Sequence, residues 1–120
     1  MGAKAIVQEF YKSDVILDAD KVKALLHPDV VLEWHSTKGF LKLHKNQIVE
    51  LSKELSKAYL RSKSRISHIV ANGNTVAVRY AHYVKTIENP REEMMLAHFM
   101  VVWEVKDDKL YRGYQMSQLP

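Results

Sequence analysis

The apolar positions of this 120-residue chain change period once. Before about residue 60 they recur in helical steps with one extended interlude, and after it they alternate. Ala3, Ile6, Val7, Phe10 and Tyr11 fall at three- and four-residue intervals, a stripe that predicts a first amphipathic helix ending near Ser13 and Asp14. Asp18 or Asp20 caps a shorter second helix carrying Val22, Leu25 and Leu26. Pro28 stops it, because proline disfavours helical backbone in the residue before it. Asp29 to His35 is β-branched and aromatic and reads as a strand, broken at Ser36 to Gly39 ahead of Phe40 to Leu43. Asn46 is the expected cap of a third helix whose buried stripe is Ile48, Leu51, Leu55 and Tyr59.

Beyond Ser64 the alternation predicts strands over Ile66 to Ala71, Thr75 to Ile87, Met94 to Val105 and Leu110 to Ser117. Asn72-Gly73 between the first two is a strong hairpin signal. Glu88 to Arg91 and Lys106 to Lys109 supply the remaining turns. The resulting order, α-α-β-α-β-β-β-β, points to an α+β fold: a cone with three helices packed on a strongly curved, mixed β-sheet. No repeat or linker interrupts it, and the length suits one hydrophobic core, so residues 1–120 are read as a single domain.

Charge changes this picture little. The formal net charge is +4, and Lys42 to Arg65 alone holds seven basic residues against two acidic ones. Lys53, Lys57 and Arg61 recur every four residues, which predicts a basic ridge on one side of the third helix, partly offset by Glu50 and Glu54. A solvated helix face accounts for such a run better than a nucleic-acid site does, since the interleaved aromatics of single-strand binders are missing. No stretch is long and apolar enough for a membrane helix, so a soluble cytoplasmic protein is expected. Cysteine is absent, which excludes disulfides and thiolate chemistry. The six histidines show no short ligand spacing, and neither a metal nor another cofactor is expected.

Four segments in this order carry a resemblance: Ala5 to Tyr11, the helix-to-strand step Leu25 to Trp34, the hairpin Ile69 to Val78, and Val101 to Leu110. Together they resemble the nuclear transport factor 2-like superfamily, in its SnoaL-like and ketosteroid isomerase-like branch. The resemblance implies a cystatin-like cone fold, a barrel-like α+β container whose concave face and helices enclose an apolar pocket, usually in a homodimer built on the convex sheet face. It also implies where isomerase chemistry would sit. Phe10 stands at the position of that family's catalytic tyrosine, Trp34 at its proton-transfer aspartate, and Val101 at its late-strand aspartate, and none of the three can take the role.

Following the same alignment, Val78, Tyr80 and His82 face the cone together with Ala97, Phe99, Val101, Trp103 and Val105. The implied ligand-binding set is Phe10, Trp34, Val78, Phe99, Val101, Trp103 and Gln115, with a mouth near Trp34, His35 and the Ser36 to Leu43 loop. His82, whose ordinary pKa lies near neutrality, is the candidate general acid or base, and Tyr80 a candidate oxyanion donor. A core histidine and a closed aromatic core are the competing readings of the same residues. Met94, Met95 and Met100 are expected on the opposite, convex face or its edge, where flexible thioethers suit an adaptable interface, and His98 on that face at a dimer contact. The expected function is binding of a small apolar or aromatic metabolite, in its catalytic form a cofactor-independent isomerase, cyclase or dehydratase using His82. The alternative is a non-catalytic dimeric interaction module.

Overall fold

The computed structural model describes residues 2–120. Three helices, α1 (Ala3–Phe10), α2 (Ala19–Leu25) and α3 (Lys45–Ala58), pack on one six-stranded sheet, with a 3-10 turn at Val15–Leu17 between the first two. The strands are β1 (Leu26–Ser36), β2 (Gly39–His44), β3 (Tyr59–Asn72), β4 (Thr75–Thr86), β5 (Glu93–Lys106) and β6 (Lys109–Gln118). The Phe40 to Leu43 segment is thus a full strand paired with β1, which adds one element to the expected order. Spatial order is β2-β1-β6-β5-β4-β3, with β1 and β6 parallel and all other neighbours antiparallel. Strands β2 and β3 remain free edges, so the sheet is open and not a closed barrel. Register shifts interrupt every pairing except β1 with β2, and such bulges bend and twist a sheet toward a concave form.

Local chemistry explains the element ends, several of which differ from the sequence reading. Helix α1 stops at Phe10, because Tyr11 already leaves helical geometry at φ −95°, ψ 9°. Asp18, not Asp20, caps α2: its carboxylate accepts the N–H groups of Asp20 and Lys21, both at 3.2 Å. Leu26 is extended before Pro28 is reached, and Pro28 lies inside β1, where the β1–β6 register slips and no ladder hydrogen bond is needed from it. His44 rather than Asn46 caps α3, its N–H donating to Gln47 Oε1 at 2.8 Å. Because α3 ends at Ala58, Tyr59 and Arg61 lie on β3 and not on the helix.

The hairpin turn falls on Gly73-Asn74, one residue beyond the expected pair, with Asn72 opposite Thr75. Gly73 has φ +60°, the left-handed conformation that a two-residue hairpin of this kind requires at its first position. Asp107 and Asp108 both have positive φ, 53° and 57°, as the tight β5–β6 turn demands.

The core lies between α1, α2 and the concave face of the sheet. Ile6 and Val7 of α1, Val22 of α2 and Val76, Val78, Val101, Trp103 and Leu110 of the sheet are all essentially sealed from solvent. Helix α3 covers the other half of the concave face and is pinned by a buried serine: Ser52 Oγ donates to the Ile16 carbonyl at 2.6 Å. Its Leu51 and Leu55 stay only half-buried, because the space beneath them is not filled by the sheet.

Candidate functional site

That unfilled space is a cavity of about 720 Å³ between α1, α3 and the concave face. One wall is apolar, from Ile48, Leu51 and Leu55 of α3. The other is aromatic, from Trp34, Tyr80, Phe99 and Trp103 of the sheet. Ser36 to Leu41, around the β1–β2 turn, and Leu119 also line it. Among the described residues no aspartate or glutamate lines it.

Alternation along β4 and β5 places the wall residues. Tyr80 pairs with Phe99 and His82 with Ala97 across the two strands, all on the concave side. The Tyr80 and Phe99 rings stack with centroids 4.9 Å apart and planes 4° from parallel. Trp34 lies 6.2 Å from Phe99, and its indole N–H donates to Ser117 Oγ at 2.8 Å. Trp103 forms the floor, its indole N–H donating to the Tyr11 hydroxyl at 2.8 Å.

Seven of the nine residues expected at the site line this cavity: Phe10, Trp34, Tyr80, His82, Phe99, Trp103 and Gln115. Val78 and Val101 do not. They face the same side, at 0% and 1% exposure, but α1 lies across that part of β4 and β5 and closes it into solid core. His35 points away from the cavity and packs on Phe40 at 4.6 Å, outside the lining.

Two residues outside the expected site set are central to the geometry. A continued α-helix would turn Tyr11 about 100° away from Phe10; the helix instead ends, and Tyr11 folds inward to contact both Trp103 and Tyr80. Ser62 on β3 places its Oγ 2.7 Å from His82 Nε2. The signal for Ser62 is the alternation of small serines with basic residues at Arg61, Ser62, Lys63, Ser64 and Arg65, which marks an inward polar face on a strand.

Electrostatics keep these groups neutral. Burial holds the His82 imidazole below the ordinary histidine value. The Tyr80 phenol is pushed well up by burial and then by the neighbouring Tyr11 hydroxyl, and burial pushes Tyr11 up despite the Trp103 hydrogen bond. At neutral pH the wall therefore presents hydroxyls and a neutral ring. The Gln115 side chain is buried and lines the cavity. Among the described residues no group of three or more His, Asp or Glu side chains is arranged to hold a metal ion.

The rest of the surface adds little chemistry. Each member of the expected basic ridge has an acidic partner, Lys53 with Glu50, Lys57 with Glu54 and Arg61 with Asp14. On the convex face, Met100 and Met116 are paired in register and exposed, with Tyr114 exposed on the same face of β6. Among the described residues no helix is long and apolar enough to cross a membrane.

A family model, SnoaL-like domain, matches residues 7–113. No curated protein matches the chain. Solved structures do match it. An epoxide hydrolase of M. tuberculosis, described as LEH-like, is similar at 19% identity and a TM-score of 0.73, with 96% of this chain and 81% of that one covered. IdmH of Streptomyces antibioticus, a candidate polyketide cyclase, is similar at 14% identity and a TM-score of 0.74, covering 96% and 91%. A hypothetical protein of Catenulispora acidiphila with a ketosteroid isomerase-like fold, in complex with trimethylamine, is similar at 10% identity and a TM-score of 0.69, covering 92% and 82%. At these identities the likeness is one of fold.

Proposed function

Since this chain belongs to the SnoaL-like domain family, we propose that it binds a small, mostly apolar or aromatic molecule inside its cone. The observation that carries this reading is the open cavity of about 720 Å³, within the roughly 300–1,000 Å³ usual for small-molecule sites. A protein that needed its aromatics only for packing would close such a space, because unfilled core volume is destabilising. The likeness in fold to an epoxide hydrolase and a candidate polyketide cyclase agrees with a small-molecule site but does not choose the reaction.

The catalytic form of the reading is an isomerisation, cyclisation or dehydration without a cofactor. His82 is the one imidazole on the cavity wall, so a proton-transfer step would pass through it, with the Tyr80 hydroxyl facing developing negative charge. Assembly as a homodimer through the convex face belongs to the same proposal and is supported by the exposed Met100, Met116 and Tyr114. An interaction module built on the basic ridge is less well supported, because its charges are already paired.

The test uses the neutral fluorophore N-phenyl-1-naphthylamine. Its emission should rise saturably, one molecule per chain, in the wild type. Ala97→Trp, which places a ring in the cavity opposite His82, should abolish the signal while leaving the far-UV spectrum and unfolding midpoint near wild type. Absence of saturable binding in the wild type, or undiminished binding in the blocked variant, would overturn the proposal.

A further inference from the structure

The hydrogen-bonding capacity around His82 is asymmetric. Its Nε2 lies 2.7 Å from Ser62 Oγ, and the two residues are 9% and 3% exposed. Ser62 is held on both sides of its backbone: its N–H donates to Asp14 Oδ1 at 2.9 Å and its carbonyl accepts the Asp14 N–H at 2.8 Å. The serine seat is therefore fixed, and its hydroxyl has a single hydrogen-bond partner among the described residues, the imidazole.

A hydroxyl proton in such a place needs an acceptor, and a buried donor without one is costly. Both residues line the cavity, but Ser62 is the more deeply buried, 3% exposed against 9%, so a ring proton on Nε2 would occupy its oxygen and strand the hydroxyl proton at the more sealed of the two positions. With Ser62 donating, Nε2 accepts and the ring proton belongs on Nδ1. That nitrogen makes no hydrogen bond to a described residue, yet among the described residues no sealed side-chain nitrogen or oxygen lacks a partner, so Nδ1 opens onto the cavity that His82 lines.

We propose that His82 acts as a hydrogen-bond donor, presenting Nδ1–H to a carbonyl oxygen of the bound molecule, with Ser62 as the positioning residue that sets this tautomer. The inference rests on the small-molecule reading above and narrows it to ligands such as aromatic ketones, esters or lactones lying with the oxygen toward β4. One further feature favours such an acceptor: among the described residues no carboxylate on the wall competes for the donor or invites a cationic ligand. Burial supports the neutral ring by disfavouring its protonated form.

Two measurements test the assignment. In ¹⁵N-histidine-labelled protein at pH 7.5, the His82 ring should show the Nδ1-protonated pattern in long-range proton–nitrogen spectra, and Ser62→Ala should move it toward the Nε2-protonated form. An Nε2-protonated ring in the wild type would overturn the proposal, even if Ser62→Ala does not fold. The second compares 2-acetylnaphthalene with 2-isopropenylnaphthalene, which has the same shape without the oxygen. The ratio of ketone to hydrocarbon affinity should fall about three- to tenfold in His82→Phe, the range expected for one neutral hydrogen bond. An unchanged ratio would overturn the donor role alone, whereas failure of both probes to bind the wild type would overturn the small-molecule reading itself.

Discussion

Adding one methyl group at Gly113 should damage both the core and the cavity floor. A Cβ built there would lie 2.6 Å from Leu32 Cδ1 and 2.7 and 2.8 Å from Cζ3 and Cη2 of Trp103, against about 3.5–4.0 Å for relaxed carbon contacts. Leu32 can rotate at its tip, but the indole has little freedom. It is 1% exposed, packs edge-on against Phe10 at 6.0 Å, and is tied by its N–H to Tyr11. Overpacking of this kind costs about 1–3 kcal/mol, and loss of the indole–phenol hydrogen bond adds about 1 kcal/mol. Gly113→Ala should therefore lose about 2–4 kcal/mol in urea unfolding, or roughly 6–20 °C in Tm for a domain of this size. Trp103→Phe removes the two clashing ring atoms, so combining it with Gly113→Ala should cost less than the two changes apart, by about 1–2 kcal/mol. A Gly113→Ala protein within about 0.5 kcal/mol of wild type, or strict additivity in the double variant, would refute the reasoning.

Ser52→Ala should cost about 1–3 kcal/mol in urea unfolding at pH 7, because it leaves the Ile16 carbonyl without its donor beneath α3; a loss under about 0.5 kcal/mol would contradict that bond's role. The pH dependence of stability should carry the signature of His82, which is faced by Ser62 from β3 and by Ala97 and Phe99 from β5. Its folded-state pKa is depressed, so the unfolded chain binds a proton there that the folded chain refuses. The stability tied to this group is complete above about pH 6.5, the unfolded value. It is lost as pH falls toward the folded value, with a slope of at most about 1.4 kcal/mol per pH unit. The stability difference between wild type and His82→Asn, measured by urea unfolding from pH 7.5 to 5, should shift against the wild type on acidification, and parallel profiles would exclude a buried neutral His82.

Local periodicity alone determined much of the architecture. The stripe Ala3, Ile6, Val7 and Phe10 could only serve a buried helix face, and alternation through Val78, Tyr80 and His82 put all three on one side of a strand. The hairpin followed from a glycine that tolerates positive φ. Element ends were less legible, because Asn46, Tyr59 and Arg61 all fit a helix until tertiary packing chose where α3 begins and stops.

The tertiary structure alone decided which inward residues meet a ligand and which are merely buried. Val78 and Tyr80 share a face, but α1 lands on the first and the cavity lies over the second, a difference set by helix placement far away in sequence. Tyr11 reached the site because α1 ended one residue before it, and Ser62 met His82 diagonally across the β3–β4 pairing, where Ser64 is the residue directly opposite His82. A one-chain pattern assigns a side chain to a face, since that depends on backbone period; it cannot assign the atoms opposite, since those arrive by long-range packing.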